Sequence, residues 1–422
     1  MTGVDGGVVF LNGTLIDGTG RDPARAFVRV EGERIAEVQP MAQHGRSQGG
    51  GRAIDLDGRI IMPGLIDCHV HHIYGGFRNL MEIDGSPIEL ATIRAMMNAR
   101  TFLEAGYTSV RDVGTRGNIA AALRDAVKAG WIPGPRIVAS GRVLSTTAGL
   151  ADSYPNWMEN HAGMGLLVDG PHEFARAVRR QVKDGVDNIK IAGSGAEASI
   201  FATTWMVTMR LDEMQAVVHE AHAFGKTVAC HTQSHGSAKY AVQAGVDTIE
   251  HGTRMDEETI DLLTRSPTYL VPTLCTLYSV LERGEKMGVL PKQIEEMKVN
   301  EPLWKASFRA AYEAGVKIAA GSDIGNRYPQ GENARELELM VLNGMKPMDA
   351  ILSATRVAAE AIKLSGVGTL EPGKLADLIV VDGDPLEDIR VLQDHGRLHH
   401  IMRGGRFYKD EANLRTAEIP QV

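Results

Sequence analysis

The chain has 422 residues, a formal net charge of −8 and a sequence pI near 6.0, with 43% hydrophobic and 23% charged residues. That length suits one large and one smaller folded unit, and the acidic balance without a basic run argues against a nucleic-acid partner. No apolar run approaches the ~20 residues needed to span a bilayer, and the start, Met1-Thr2-Gly3-Val4, lacks a basic and apolar leader pattern, so a cytoplasmic protein with no membrane partner is expected.

The first sixty residues read as short strands and turns: 8–11, 14–16, 27–30 and 34–38, with a turn at Glu31-Gly32-Glu33. Residues 41–52, rich in Gly, Gln, Ser and Arg, read as an exposed loop. A similar all-β pattern returns near the end, in 368–382 and 401–407. Both chain ends are therefore expected to build one small β-sandwich from residues 1–58 and 368–422.

Between them, residues 59–367 alternate short apolar runs with amphipathic helices, the signature of a parallel sheet. Eight strand candidates are 59–71, 108–114, 136–141, 186–193, 226–232, 248–252, 269–274 and 316–323. Several intervening helices end in glycine, as at Gln243-Ala244-Gly245, the residue that best accepts a left-handed cap. The expected fold class is α/β, a (β/α)8 TIM barrel with the small β-sandwich formed by both termini.

Catalytic groups of such barrels lie at the C-terminal ends of the strands. The first strand candidate ends in His69-Val70-His71-His72; alternate residues share a face, so His69 and His71 point one way, about 6–7 Å apart along the strand. The fourth carries Lys190, the fifth His231, the sixth His251 and the eighth Asp323. Singly, each is a weak signal: a His near a strand end is more often a satisfied polar residue than a ligand, and a lysine there ordinarily snorkels to water. Four His, one Lys and one Asp on the same rim point to a metal site. Cys68 and Cys230 each precede one of these histidines and are expected to face away from it as small buried apolar residues; with Cys275 they form neither a disulfide framework nor zinc-finger spacing.

These motifs resemble the amidohydrolase superfamily, in its imidazolonepropionase-like branch with metal-dependent dipeptidases of the prolidase type. The likeness rests on Pro63-Gly64-Leu65-Ile66-Asp67-Cys68-His69-Val70-His71, Ile189-Lys190-Ile191, Ala229-Cys230-His231, Thr248-Ile249-Glu250-His251-Gly252, Gly321-Ser322-Asp323 and Pro372-Gly373-Lys374-Leu375-Ala376-Asp377. It implies two divalent metal ions, zinc being the expected one. His69 and His71 with Asp323 would hold the more buried ion, and His231 and His251 the other. Lys190, carboxylated by carbon dioxide on its side-chain nitrogen, would bridge both. An ammonium has no lone pair for a metal, whereas a carbamate is an anionic two-oxygen bridge. Asp323 would serve as base and then acid toward the leaving amine.

The resemblance thus implies a hydrolase that cleaves an amide-type C–N bond of a small-molecule substrate, with self-association into a homo-oligomer left open. Competing readings are a mononuclear deaminase or imidazolonepropionase-like hydrolase, for which Lys190 is the discriminator, and a ligand-free scaffold, which would not keep all six groups. Gly193-Ser194-Gly195-Ala196-Glu197-Ala198 fits a dinucleotide fingerprint, but no amphipathic helix starts there. Substrate contacts are expected from loops 144–164, 194–210, 232–235 and 324–328 and from Tyr278, with Trp157, Phe201 and Trp205 as a candidate apolar wall. Where dipeptidases of the branch carry a His after strand three and a Tyr or His two residues past the strand-five ligand, this chain has Leu150 and Gln233. An N-acyl, aryl-amide, urea or carbamate substrate with a neutral group at that place is therefore expected. His235 and Arg327, either of which supplies a compensating charge, keep the Xaa-Pro or Xaa-Arg dipeptidase and carboxypeptidase alternative in view.

Overall fold

A computed structural model describes residues 7–46, 51–76, 80–158 and 163–411. The β-branched and aromatic run at the N-terminus forms Val8–Leu15, one strand rather than two, with a register shift between Phe10 and Gly13 that accommodates Asn12 at φ 58°. It pairs antiparallel with Ala24–Glu31, which pairs with Arg34–Pro40. The expected loop at 41–52 includes a 3₁₀ turn, Met41–Arg46, and the beginning of a further strand, Arg52–Asp55, parallel to Val8–Leu11; the remainder, 47–50, lies outside the described residues. From the other chain end, Leu378–Val381, Leu398–Arg403 and Arg406–Asp410 join the same sheet. Phe10, Val28, Val30, Leu378, Val380 and Met402 fill its core, so segments from both chain ends share one eight-stranded sheet.

The expected strand 59–71 is two strands. Ile60–Pro63 pairs antiparallel with Leu378–Val381 in the terminal sheet, and Leu65–Val70 opens the parallel ring. Gly64 is the joint: any Cβ there would collide with the side chain of Thr108, while its N–H donates to Asp377 O at 3.0 Å. Hydrogen bonding thus assigns residues 60–63 to the terminal sheet, past the boundary expected at 58/59.

The ring continues through Tyr107–Asp112 and Arg136–Val138, then Asn188–Ala192, Thr227–Thr232, Thr248–His251 and Tyr269–Val271, all parallel. The ladders form a three-stranded and a six-stranded sheet rather than one closed ladder. Isolated parallel bridges join them: Ser140 to Asn188, Leu270 to Ile318, and Val70 to Ile324. The eighth segment, 316–324, has no regular ladder; its Asp323 sits at φ 50°, a left-handed conformation that cannot continue a pleated strand. Helices pack outside the strands. His235–Ala244 shows how they stop: Gly245 takes φ 84° and its N–H returns to Ala241 O, the left-handed cap that glycine accepts without strain. Among the described residues no helix is long and apolar enough to cross a membrane.

Candidate metal centre

All six groups expected at the rim come together. His69 is carried by Leu65–Val70, and the strand's end is locked by Asp67, which accepts from His69 N (2.9 Å), Ser322 N (3.0 Å), Ser322 Oγ (2.5 Å) and Asn333 Nδ2 (2.8 Å). Asp67 thereby ties the first strand to the eighth segment, and burial raises its proton affinity. Asp323 Oδ1 lies 3.8 Å from His69 Nε2 and 3.5 Å from His71 Nε2. One ligand atom from each of these three residues falls within 4.8 Å of the others. The rings of His69 and His251 are 5.2 Å apart and those of His231 and His251 4.5 Å.

Each imidazole is held through the nitrogen it does not need for a metal. His69 Nδ1 meets Glu250 Oε2 at 2.7 Å, His71 Nδ1 meets Gly114 O at 2.8 Å, His251 Nδ1 meets Thr273 Oγ1 at 2.6 Å, and His231 Nε2 meets Gly195 O at 3.1 Å. Such outer bonds select the tautomer and aim the remaining lone pair. His251 (φ 72°), Thr273 (φ 48°) and Asp323 (φ 50°) are non-glycine residues held in the left-handed region at this rim; for a β-branched threonine that conformation is costly, and such strain gathers at functional sites.

Electrostatics favour the ligand forms. Burial drives His71 down to about 4 and His231 to about 3, and holds His69 and His251 well below the ordinary range, with Lys190 adding repulsion. All four rings are therefore neutral near pH 7, the state that binds metal. Burial likewise lowers Lys190 and raises Asp323 to about 7. Lys190 Nζ and Asp323 Oδ1 are buried and lack a hydrogen-bond partner, an expensive arrangement unless another group completes it. The donor set, neutral N, carboxylate O and an unsatisfied amine, fits divalent metal.

The cavity above these groups holds about 580 Å³ of empty space, partly open to solvent. Of the expected substrate contacts, Leu150, Gln233 and Arg327 line it. His235 does not: it is exposed, at the first position of a helix that leads away from the rim. Tyr278 does not either, because its hydroxyl accepts from Asn343 Nδ2 at 3.1 Å and its ring packs under Lys305. The expected apolar wall is also displaced. Trp157, Phe201 and Trp205 are 85%, 44% and 55% exposed and line no part of the cavity; Trp205 packs on Arg254, and the apolar lining comes instead from Val143, Leu150 and Met164. Cys68 and Cys230 are buried and unpaired, as expected.

Sequence reading missed Tyr74, stacked on His71 at 4.2 Å; Thr276, whose Oγ1 donates to Asp323 Oδ2 at 3.0 Å; Glu197, 3.7 Å from Arg327; and Glu250. Glu250 carried a signal, a carboxylate directly beside a candidate ligand, and Glu197 lay in the 194–210 loop expected to contact substrate.

Residues 60–407 match the Amidohydrolase family. The chain belongs to that family. It is 31% identical to ochratoxinase of Aspergillus niger over 376 residues, covering 83% of this chain and 76% of that protein. The crystal structure of that ochratoxinase superposes with a TM-score of 0.86 at 27% identity, over 98% of this chain and 99% of the other. A Xaa-Pro dipeptidase with methionine bound in its active site gives 0.87 at 34% identity, over 96% and 100%. Imidazolonepropionase of Geobacillus kaustophilus is 23% identical over 97% of this chain and 91% of that protein. This amidohydrolase is accordingly a hydrolytic enzyme acting on amide-type C–N bonds, and its His69, His71 and Asp323 form a group suited to a divalent cation.

Proposed function

We propose that this amidohydrolase works with two divalent ions, zinc for preference, held by His69, His71, His231, His251 and Asp323 and bridged by a carboxylated Lys190. The observation that carries this reading is Lys190 itself, 3% exposed, its Nζ without a hydrogen-bond partner, beside four imidazoles and Asp323. Burial lowers the proton affinity of this amine and so favours its neutral form, and a neutral amine is the form that adds carbon dioxide. The resulting carbamate turns an orphaned donor into an anionic bridge.

Bound ions would supply a water of lowered pKa and a polarised substrate carbonyl. The chain's own residues do the remainder. Asp323, steadied by Thr276, takes the proton of the attacking water and returns it to the departing nitrogen, so that one C–O bond forms as the C–N bond breaks. Leu150, Val143 and Met164 present an apolar wall, against which an unpaired carboxylate would be costly. This supports a substrate with an apolar acyl, aryl, urea or carbamate group on that side. Arg327, buried in the same cavity, favours the second reading, a dipeptidase, in agreement with the Xaa-Pro dipeptidase neighbour.

Metal analysis of protein purified without chelator tests the centre: about two ions per chain are expected, with a carbamate carbon signal after labelling with ¹³C-bicarbonate. Full turnover by metal-free protein in chelator would end the proposal. Rates on Xaa-Pro and Xaa-Arg dipeptides beside neutral anilides, ureas and carbamates separate the two substrate readings.

A further inference from the structure

Beneath the four imidazoles lies an ion pair that the chemistry above does not use. Arg111 on Tyr107–Asp112 and Glu250 on Thr248–His251 are both 0% exposed. Arg111 Nη2 donates to Glu250 Oε1 at 2.8 Å, Nη1 to Thr248 Oγ1 at 2.9 Å and Nε to Cys68 O at 2.7 Å. Thr248 Oγ1 donates in turn to Glu250 Oε1. Two donors thus occupy Oε1, and Oε2 is left facing His69 Nδ1 at 2.7 Å. A buried ion pair adds little stability over apolar residues of the same volume, so its place in the floor of the site calls for another account.

We infer that Glu250 is a positioning residue for His69: its carboxylate holds the proton on Nδ1, so that the Nε2 lone pair faces Asp323 and the metal position. Arg111 Nη2 and Thr248 Oγ1 fasten the other carboxylate oxygen and so turn Oε2 toward the ring. Were a donor to meet Nδ1, the ring proton would move to Nε2 and close the lone pair. The other three rings are held by backbone carbonyls or a hydroxyl; His69 alone among the four is held by a carboxylate, which also makes the ring a stronger donor. The inference rests on His69 being a metal ligand.

Two variants test it. In Glu250→Gln, Arg111 claims the amide oxygen, so the amide NH₂ must face His69. In Arg111→Met with Glu250→Leu both charges are gone, which avoids a buried unpaired guanidinium should the single variant misfold. The first measurement needs no metal: histidine-selective ¹⁵N NMR in chelator, with His69 assigned by His69→Asn. Wild type should carry the His69 proton on Nδ1, Glu250→Gln on Nε2, and the double variant a mixture. The second is zinc affinity by chelator competition, expected to weaken roughly 10- to 100-fold in both variants, while the double variant melts in chelator where wild type does. A wild-type His69 protonated on Nε2, or a double variant that binds zinc as tightly as wild type, overturns the inference. Wild type that binds no zinc yet keeps the proton on Nδ1 supports tautomer control and overturns the metal reading instead.

Discussion

The backbone N–H of Asp323 donates to the carbonyl oxygen of His69 at 2.8 Å, and the adjoining Val70 bridges to Ile324. The eighth segment is therefore fastened to the first strand at the residues that carry the chemistry, so a disturbance of either is felt by both.

Gly321 makes that approach possible. A Cβ there would strike Val271 Cγ1 and lie 2.8 Å from His69 Cβ and 3.0 Å from His69 N. Gly321→Ala should push His69 out of line, lower the metal content and destabilise the chain by about 1–3 kcal/mol, the usual cost of overpacking. Metal analysis and thermal unfolding check this; unchanged values in both would show that the contact relaxes freely.

Lys190→Ala should remove the bridge. Turnover is expected to vanish and metal content to fall well below that of wild type. Small carboxylic acids should restore part of both by entering the vacated position. Wild-type turnover with a full complement of metal in this variant would mean that Lys190 bridges nothing.

Asp323→Asn should behave differently, because an amide retains a metal-binding oxygen and cannot move a proton. Most of the metal should remain while kcat drops about 10²- to 10⁴-fold. Loss of metal in parallel with activity would assign Asp323 a ligand role alone.

Glu336 predicts a pH effect on stability away from the centre. Buried at 1% exposure, its carboxyl is pushed by desolvation from the ordinary 4.5 up to about 8, against two backbone N–H groups, Leu274 (2.8 Å) and Cys275 (2.7 Å), that favour the anion. The folded state then binds more protons than the unfolded state between those values, so this group's stabilisation is complete below the unfolded value and is lost as pH rises through about 8. The thermal midpoint in chelator should fall from pH 6 to 9 in wild type, and Glu336→Gln should flatten the fall. Equal slopes for the two proteins would remove Glu336 as the cause.

Much of this protein was legible from residue order because the signals are local. The alternation of apolar runs and amphipathic helices specifies a parallel α/β ring, and strand periodicity alone places His69 and His71 on one face with Cys68 behind them. Lys190, His231, His251 and Asp323 could be assigned to one rim because every strand of such a ring ends on the same side. Other features depend on contacts between distant segments, which no local pattern encodes. Gly64 divides one apparent strand in two because Thr108 crowds it and the Asp377 carbonyl takes its N–H. His235 leaves the site because a helix begins at it, and Tyr278 because Asn343 and Lys305 engage it from outside. The Arg111 and Glu250 floor exists only once strands two and six face each other across the ring interior. Position along a strand could be read from the sequence, but the direction of a side chain from a loop or helix, and the partner it meets across the ring, were decided by tertiary packing.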